Sequence, residues 1–242
     1  MITLPTEKTK VNMSLGDQVI TVYGMPKIGK STLASQFPNA LFLATEPGLN
    51  FLEVYQVAVN SWPEFRSICG IIAKDPQEVE TLVIDTVDVL VDLCSNHVCE
   101  THKVEHPSLL TYGLGWGLIK GELKRVLTKL SMLRTKSGSR MGLVMVSHAK
   151  EVEEETRTGV KRCWAPNLSP SNRILVEGMS DLLLFADVEP DGSRVLRTKP
   201  GERWHAGDRS GKLPETIPLS YDALSSAFGG MTKKEKKEVT NE

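Results

Sequence analysis

The sequence predicts an α/β domain with a mostly parallel central sheet flanked by helices and with antiparallel strands near the C-terminus. Short apolar stretches rich in β-branched residues alternate with longer helix-like stretches, which is the pattern of parallel strands joined by helices. No repeat with a period of about 20 to 50 residues interrupts this alternation. The 242 residues, 40% of them hydrophobic, suffice for one core, so a single domain is expected.

The first half of the chain predicts four strands and three helices. The stretch SWPE resembles a helix start, because Ser61 can cap the helix, Glu64 follows three residues later and a proline occupies the first turn. In order, the predicted elements are the strand QVITVYG, a helix from about Lys30 that stops before Pro38, the strand ALFLATE ending at Glu46, a short strand YQVAVN, a helix to about Lys74, the strand TLVIDT and a helix to about Thr101.

The second half predicts a loop, two helices and three strands. YGLGWG, at residues 112–117, is too glycine-rich for a helix interior and is predicted as a loop before an amphipathic helix to about Arg134. MGLVMVSH is a strand, whereas residues 149–180 carry no clean period. DLLLFADV and SRVLRT are neighbouring strands expected to close the sheet, before a short helix at residues 221–228. The predicted division is a lead-in at 1–16, a folded domain at 17–228 and a charged, flexible tail at 229–242.

Composition limits the classes of function. A formal net charge of −1 excludes a uniformly basic nucleic-acid binder but leaves room for a local basic groove. No apolar run approaches the roughly 20 residues of a membrane helix, and the first residues lack the apolar stretch of a secretory signal. The four cysteines form no compact paired framework, which indicates reduced thiols. A cytoplasmic protein without a membrane partner is therefore expected.

The stretch GMPKIGKST lies between the first predicted strand and helix, and it fits the P-loop pattern G-x-x-x-x-G-K-[ST]. Glycines let successive backbone N–H groups point at a phosphate, and the helix start adds its positive dipole end. Lys30 is expected to bridge the β- and γ-phosphates of ATP, and the Ser31 hydroxyl to bind Mg²⁺. The predicted nucleotide-binding residues are Gly24, Met25, Pro26, Lys27, Ile28, Gly29, Lys30, Ser31 and Thr32.

Three polar residues at predicted strand ends are candidates for the rest of the site. Asp85 ends an apolar strand and can hold the magnesium through water, although it can also cap the following helix. Glu46 can polarise the water that attacks the γ-phosphate, with a turn role as the alternative. His148 can sense the γ-phosphate and pass the signal to the segment behind it, or it can be a plain hydrogen-bonded histidine.

A cluster of metal-ligand types precedes the glycine-rich stretch. It consists of Cys94, His97, Cys99, His102 and His106. On a continuous helix the first two share one face and the other three lie about 140° away, so four ligands cannot converge without a break. Helix packing and surface histidines are expected here, and metal binding stays open.

These motifs together resemble the RecA-like branch of the P-loop ATPases, and within it phage-encoded ATP-binding proteins that include single-strand annealing proteins. The resemblance rests, in order, on GMPKIGKST, ATEPGL, LVIDTVD, YGLGWG, MVSHAKE and AGDRSGKLP, which span residues 24–214. It implies a RecA-like core that hydrolyses ATP and is stimulated by DNA. It also implies side-by-side assembly into a filament or ring, with the nucleotide between subunits, and a phage protein acting in the bacterial host cytoplasm.

The resemblance further implies single-stranded DNA as the main partner, with a single-strand-binding protein or another replication or recombination protein as a second one. Two segments would engage the DNA, one near YGLGWG and one from Lys150 to about Asn172. The chain has little room for an additional DNA-handling domain, so annealing or partner-assisted recombination is expected over autonomous strand exchange.

The residues themselves support DNA binding less directly than ATP binding. The second segment contains Lys150, Arg157, Lys161, Arg162 and Arg173, but also four glutamates, so its net field is small. Trp164 offers a stacking surface or packs in the core. The basic residues after YGLGWG suit phosphate contacts or a solvated helix face; they are Lys120, Lys124, Arg125 and Lys129.

One basic residue is expected to complete the site of a neighbouring subunit. By resemblance this is Arg209, with Lys199 and Arg203 as competitors and an ion pair of Arg209 with Asp208 or Glu202 as the alternative. Two other functions stay open. They are a helicase-loader or packaging-type accessory ATPase that uses the charged tail for docking, and a metabolic P-loop kinase, although residues 150–180 are too acidic for an arginine-rich lid.

Overall fold

The structure is a computed structural model that describes residues 6–7, 14–156 and 159–229. Residues 1–5 and 8–13 of the predicted lead-in, the tail beyond residue 229 and Arg157 lie outside the described residues. Ten strands and six α-helices make up the described part of the chain. Short 3-10 turns occur at Leu15–Asp17, Pro107–Leu109 and Thr111–Gly113.

The elements alternate along the chain as the sequence predicts. The strands are β1 (Val19–Gly24), β2 (Ala40–Ala44), β3 (Tyr55–Ala58), β4 (Thr81–Asp85), β5 (Gly142–Thr156), β6 (Gly159–Pro166), β7 (Leu182–Val188), β8 (Arg194–Arg197), β9 (Gly207–Asp208) and β10 (Thr216–Pro218). The helices are α1 (Lys30–Ser35), α2 (Trp62–Lys74), α3 (Val87–His102), α4 (Leu114–Leu130), α5 (Pro170–Met179) and α6 (Tyr221–Ala227).

The sheet has the strand order β10-β8-β7-β1-β5-β4-β2-β3. All neighbours from β7 to β3 run parallel, whereas β8, β9 and β10 pair antiparallel at the C-terminal side. Because parallel strands need crossover connections, helices cover both faces, and the central strands β1 and β4 are buried along their whole length. This confirms the predicted fold class, a mostly parallel sheet flanked by helices with antiparallel C-terminal strands.

Two apolar clusters lie on opposite faces of the sheet. One packs α2, α3, α4 and α5 against the strands, with Trp62, Phe65 and Leu123 among its fully buried side chains. The other packs α1 and α6 through Leu33 and Leu224. The start of α2 is capped as predicted, because the Ser61 hydroxyl accepts a hydrogen bond from the Glu64 backbone N–H at 3.3 Å. The strands are therefore held from both sides, and their ends are fixed in position.

The prediction of a loop at YGLGWG is wrong for its last four residues. Helix α4 begins at Leu114 and includes Gly115, Trp116 and Gly117. A Cβ at Gly115 would lie 2.4 Å from the Pro107 carbonyl oxygen, so the glycine permits close contact between the helix and the preceding turn. Tertiary packing thus outweighs the low helix propensity of glycine.

Residues 149–180, for which no regular structure is predicted, are mostly regular. Strand β5 continues past His148 to Thr156 and pairs antiparallel with β6, and α5 follows. We call β5 beyond His148 together with β6 the β5–β6 hairpin. The run of glutamates concealed the strand because it pairs across the hairpin with basic residues, as in Glu153↔Arg162 and Glu154↔Lys161. The expectation that the strands DLLLFADV and SRVLRT close the sheet is also wrong, because the short strand β10 pairs with β8 and forms the edge.

Candidate active site

The P-loop connects β1 to α1 and is shaped by two glycines. Gly24 ends β1 beside β7, and a Cβ there would lie 2.6 Å from the Ala186 carbonyl oxygen. Gly29 has φ +113°, a conformation that L-residues with side chains rarely adopt. The Lys30 ammonium is buried and donates to the carbonyl oxygens of Gly24 and Met25 at 3.0 Å each. The lysine thus spans the loop that the motif predicts.

Ser31 and Asp85 meet across the sheet edge. Asp85 is the last residue of β4, only 6% exposed, and accepts a hydrogen bond from the Ser31 side chain. Burial raises the pKa of the Asp85 carboxyl, while the Ser31 hydrogen bond and the charge of Lys30 oppose this rise. Burial likewise lowers the pKa of the Lys30 ammonium, against the attraction of Asp85. A cation and a carboxylate are therefore both desolvated at the base of the loop.

His148 lies between two carboxylates. Its Nδ1 is 2.7 Å from Asp88 Oδ2, and its Nε2 is 3.7 Å from Glu46 Oε1. The sheet register accounts for this, because β5 runs between β1 and β4 and pairs His148 with Gly24. The Nδ1 contact favours a proton on Nδ1, held by Asp88, and leaves Nε2 facing Glu46. The histidine is thus hydrogen-bonded and also in contact with Glu46.

Glu46 follows β2 by two residues, and β2 pairs with the Asp85 strand. The predicted strand therefore ends earlier, at Ala44, and Glu46 lies on the connection that leaves the sheet. Burial raises the pKa of the Glu46 carboxyl, with His148 lowering it and Asp88 and Asp85 raising it further. Four acidic or imidazole groups thus lie at one edge of the sheet with Lys30.

Two residues of the site were not predicted from the sequence. Asp88 lies in the first turn of α3, three residues after Asp85, and is 7% exposed. The stretch LVIDTVD contains it, but only the register that brings β5 beside β4 reveals its histidine partner. Arg194, at the start of β8, has its Nη1 3.5 Å from a Cβ built on Gly29, so its guanidinium lies beside the P-loop. No local pattern marks that residue.

The residues predicted to act on a neighbouring subunit lie away from the P-loop of their own chain. Arg209 pairs with Asp181 at 3.1 Å and donates to the Gly178 carbonyl oxygen. Asp181 also accepts from the Val19 backbone N–H, at the amino end of β1. The partner is thus neither Asp208 nor Glu202, the two carboxylates considered from the sequence. Lys199 pairs with Asp208 at 3.1 Å, and Arg203 is exposed.

Several basic residues of the segments predicted to bind DNA make internal contacts, whereas Lys150 is exposed. On the hairpin, Arg162 pairs with Glu153 at 2.8 Å, and Lys161 donates to the Gly201 carbonyl oxygen. Arg173 pairs with Glu154 at 3.5 Å. Trp164 is half-buried and packs against the cluster around Tyr23, which favours the core alternative. On α4, Arg125 pairs with Glu122, and Lys124 and Lys129 are exposed.

The Cys94 to His106 cluster is spread over α3 and the turn behind it. Cys94 is buried and contacts the Ile119 carbonyl oxygen at 3.8 Å, and Cys99 is buried in the same helix. His106 caps the turn at Pro107–Leu109 by accepting from the Ser108 backbone N–H, and its ring lies edge-on to Trp116. Packing and capping account for Cys94, Cys99 and His106.

The donor set at the P-loop fits a magnesium ion. Ser31 and Asp85 offer a hydroxyl and a carboxylate oxygen, which are hard ligands, and their hydrogen bond places them next to each other. Mg²⁺ is usually bound in phosphate sites by few protein oxygens together with waters and phosphate. These two residues would hold the ion, with Asp85 acting through water.

The chain matches a protein family and is similar to individual known proteins. A family model described as "AAA domain" matches residues 17–210. A protein of Bacillus subtilis (strain 168) described as "SPbeta prophage-derived uncharacterized protein YorG" is 27% identical over 173 residues, which cover 68% of this chain and 52% of that protein. The chain therefore spans about half the length of this relative.

A solved structure described as "Structural and biochemical analysis of a prototypical ATPase from the type III secretion system of pathogenic bacteria" is similar with a TM-score of 0.47 and 15% identity. The match covers 72% of this chain and 52% of that one. Among the described residues, no helix combines the length and apolar character needed to cross a membrane.

Proposed function

The chain belongs to the AAA domain family of P-loop ATPases, and from this premise we propose that it hydrolyses ATP with Mg²⁺ while assembled on single-stranded DNA, in phage-type recombination or strand annealing. One observation carries the hydrolytic part of the proposal. Lys30, Asp85, Asp88, Glu46 and His148 meet at the carboxyl edge of the parallel strands, beside the P-loop. Ligand sites of open parallel sheets form at this edge.

Each group at the edge has a distinct task in the proposed hydrolysis. Lys30, already turned into the loop, neutralises phosphate charge, and Gly29 keeps the backbone open to the phosphates. Glu46 accepts a proton from a water molecule. The oxygen of that water attacks the γ-phosphorus, and the bond from the γ-phosphorus to the oxygen of the β-phosphate breaks. When bound, Mg²⁺ supplies charge neutralisation between the β- and γ-phosphates. The raised pKa of Glu46 makes its carboxylate a better proton acceptor than an exposed glutamate.

His148 can couple hydrolysis to the β5–β6 hairpin. Its ring contacts Glu46 and Asp88 at the site, while its carbonyl oxygen accepts from the Asn167 backbone N–H at 2.9 Å, just beyond β6. A change in the Glu46 environment on phosphate release therefore acts on a strand that continues directly into the hairpin. This favours the sensor role of His148 over a purely structural one.

Single-stranded DNA is proposed as the partner on the strength of the motif resemblance, and the prophage origin of the relative agrees with a phage setting. Because Arg162 of the hairpin and Arg173 of α5 pair with glutamates, the electrostatic contribution to DNA binding is expected to be modest. Stacking and assembly must supply more of the affinity, so binding should depend less on salt than that of a strongly basic protein.

The test is ATP turnover of the purified full chain with and without single-stranded DNA. We expect DNA to raise turnover, and Lys30→Ala to abolish it in both conditions, because the loop loses its phosphate contact. Lys74→Ala, at the exposed end of α2, is the matched control and should turn over normally. Turnover that ignores DNA would refute the DNA part alone. Absence of any Lys30-dependent hydrolysis would refute the whole proposal.

A further inference from the structure

Three side chains of metal-ligand type converge away from the P-loop, at the flank of the β5–β6 hairpin. They are Glu154 from β5, Cys163 from β6 and His205 from the segment between β8 and β9. Their ligand atoms all lie within 4.8 Å of one another, and the described part of the chain holds one such group. We propose that Glu154, Cys163 and His205 bind a zinc ion that fastens the hairpin to the domain.

The distances between the ligand atoms suit a tetrahedral ion. Zinc lies about 2.3 Å from a thiolate and about 2.0–2.2 Å from imidazole nitrogen or carboxylate oxygen, so neighbouring ligand atoms stand roughly 3.3–3.6 Å apart. Cys163 Sγ is 3.4 Å from His205 Nε2, and this nitrogen is 3.1 Å from Glu154 Oε1. These two separations are close to those of a tetrahedral site, and the third, between Cys163 and Glu154, is below 4.8 Å.

The second nitrogen of His205 supplies an independent argument. Nδ1 is 2.8 Å from Glu177 Oε1, a residue of α5 that is not itself in the ligand group. A carboxylate that accepts from Nδ1–H fixes the proton there and leaves the Nε2 lone pair for the metal, which is the arrangement seen around most metal-bound histidines. The ring is therefore oriented with Nε2 toward Cys163 and Glu154.

The chemistry of the donors favours zinc over magnesium or calcium. A thiolate and an imidazole are borderline or soft ligands, whereas the hard cations prefer oxygen alone. The thiol of Cys163 is 1% exposed and lies between Val152 and Ala165, so water does not compete for that position. Three protein ligands leave one tetrahedral position for a water. Arg173, 3.5 Å from Glu154, balances the negative charge of the ligand set.

The position of the group gives the ion a structural role. The backbone at two of the ligands is tied to β1, since the Tyr23 hydroxyl lies 2.9 Å from the carbonyl oxygen of Trp164, next to Cys163, and 2.5 Å from the carbonyl oxygen of His205 itself. A metal joining β5, β6 and the His205 segment would fix the hairpin against the strand that ends in the P-loop. The hairpin would then move as one body with the active-site edge.

Metal content and spectroscopy of the full chain test this proposal without any ATPase assay. After zinc loading and dialysis, we expect about one zinc per chain. Replacing zinc with Co²⁺ should give a thiolate-to-cobalt band in the near ultraviolet and intense visible bands of tetrahedral cobalt. Cys163→Ser should lose the thiolate band, whereas Cys69→Ser, another buried cysteine, should keep it. A zinc-free wild-type protein without cobalt bands would overturn the proposal and leave a metal-free hydrogen-bonded cluster.

A milder variant covers the case in which Cys163→Ser fails to fold. Glu177→Gln keeps the size of the side chain and removes only the carboxylate behind His205, so we expect metal affinity to fall about 10- to 100-fold with the fold intact. Chelator titration followed by cobalt absorbance measures this change. Unchanged affinity in Glu177→Gln, or zinc retained in full by a folded Cys163→Ser, would contradict the assignment. Hydrolysis of ATP can persist in either case, so the proposed function is tested separately.

Discussion

A carboxylate that accepts a proton from water must be ionised, and the pKa of Glu46 decides the pH at which this fails. Burial raises that pKa above the ordinary value near 4.5. We therefore expect ATP turnover to fall on the acid side with a midpoint above 4.5, because protonated Glu46 cannot act as a base. Glu46→Gln should lower kcat about 10²- to 10⁴-fold and abolish this acid limb. Steady-state rates between pH 5 and 9 measure both effects.

The raised pKa of Glu46 affects stability and activity in opposite directions. A carboxyl whose pKa is higher in the folded state stabilises the fold at low pH and loses that contribution as the pH rises through the folded pKa. At neutral pH the ionised Glu46 therefore destabilises the nucleotide-free fold. Glu46→Gln should raise the Tm at pH 7.5 while turnover falls. A lower Tm would show that Glu46 stabilises the fold and that its burial is not strained.

Gly24 is confined by a neighbouring strand, which makes it sensitive to a single added carbon. A Cβ would lie 2.6 Å from the Ala186 carbonyl oxygen, so Gly24→Ala must push β7 from β1 at the P-loop. We expect a loss of about 1–3 kcal/mol in the free energy of unfolding, with weaker ATP binding. Gly70→Ala is the control of opposite sign, since Gly70 is exposed inside α2 with open space around it and should gain about 0.5–1 kcal/mol. Urea unfolding of both variants decides the matter, and equal stabilities would exclude the clash.

Whether a site residue could be predicted from the sequence depends on how far away in the sequence its partners lie. Lys30 and Ser31 were predictable because a local motif dictates their geometry, and Asp85 because it ends a buried apolar strand. The pairing of His148 with Asp88 was not predictable, because it depends on the register that places β5 between β1 and β4. Arg194 depends in the same way on how β8 follows β7 past the P-loop.

At the scale of elements, the apolar, β-branched stretches predicted every strand of the parallel sheet. The central strands β1 and β4 are buried along their whole length, whereas the edge strand β3 is exposed. The apolar pattern failed to predict the structure where close packing or the pairing of charged residues determines it. Helix α4 tolerates its glycines because Gly115 packs on the Pro107 carbonyl, and the hairpin sets glutamates opposite basic residues, with an ion pair of Glu153 and Arg162 at 2.8 Å. Neither leaves an apolar period in the sequence. The outer strand β10, three residues long, is too short to give one.

The hairpin is joined to the sheet through Tyr23 in β1. Its hydroxyl is buried and faces the carbonyl oxygens of Trp164 and His205, so Tyr23→Phe would leave both without this partner. We expect a loss of about 1–3 kcal/mol in the free energy of unfolding and faster amide exchange in the hairpin. Tyr55→Phe, on the exposed edge strand β3, should change neither quantity. Hydrogen exchange that is faster everywhere except in the hairpin would contradict this role for Tyr23.

At the scale of the whole molecule, the P-loop and Arg209, the two parts of the proposed site between subunits, lie at opposite ends of strand β1. Gly24 ends β1 at the P-loop edge, whereas Arg209 binds Asp181 beside Val19, at the other end of the same strand. Five residues of strand separate these ends by roughly 17 Å. Arg209 therefore cannot serve its own P-loop, and any role in hydrolysis requires a second subunit joined through unlike surfaces.

Mixed assemblies can test whether Arg209 acts on a neighbour. Arg209 is 57% exposed and surface-paired, so Arg209→Ala should cost little stability while lowering turnover. If the role is in trans, mixing it with Lys30→Ala before assembly restores intact sites at about one quarter of random interfaces, since one subunit supplies the P-loop and its neighbour the arginine. Mixing Lys30→Ala with Glu46→Gln should restore nothing, because both defects fall on the same side of the interface. Turnover of the first mixture no higher than that of its components would exclude Arg209 and transfer the test to Lys199 and Arg203.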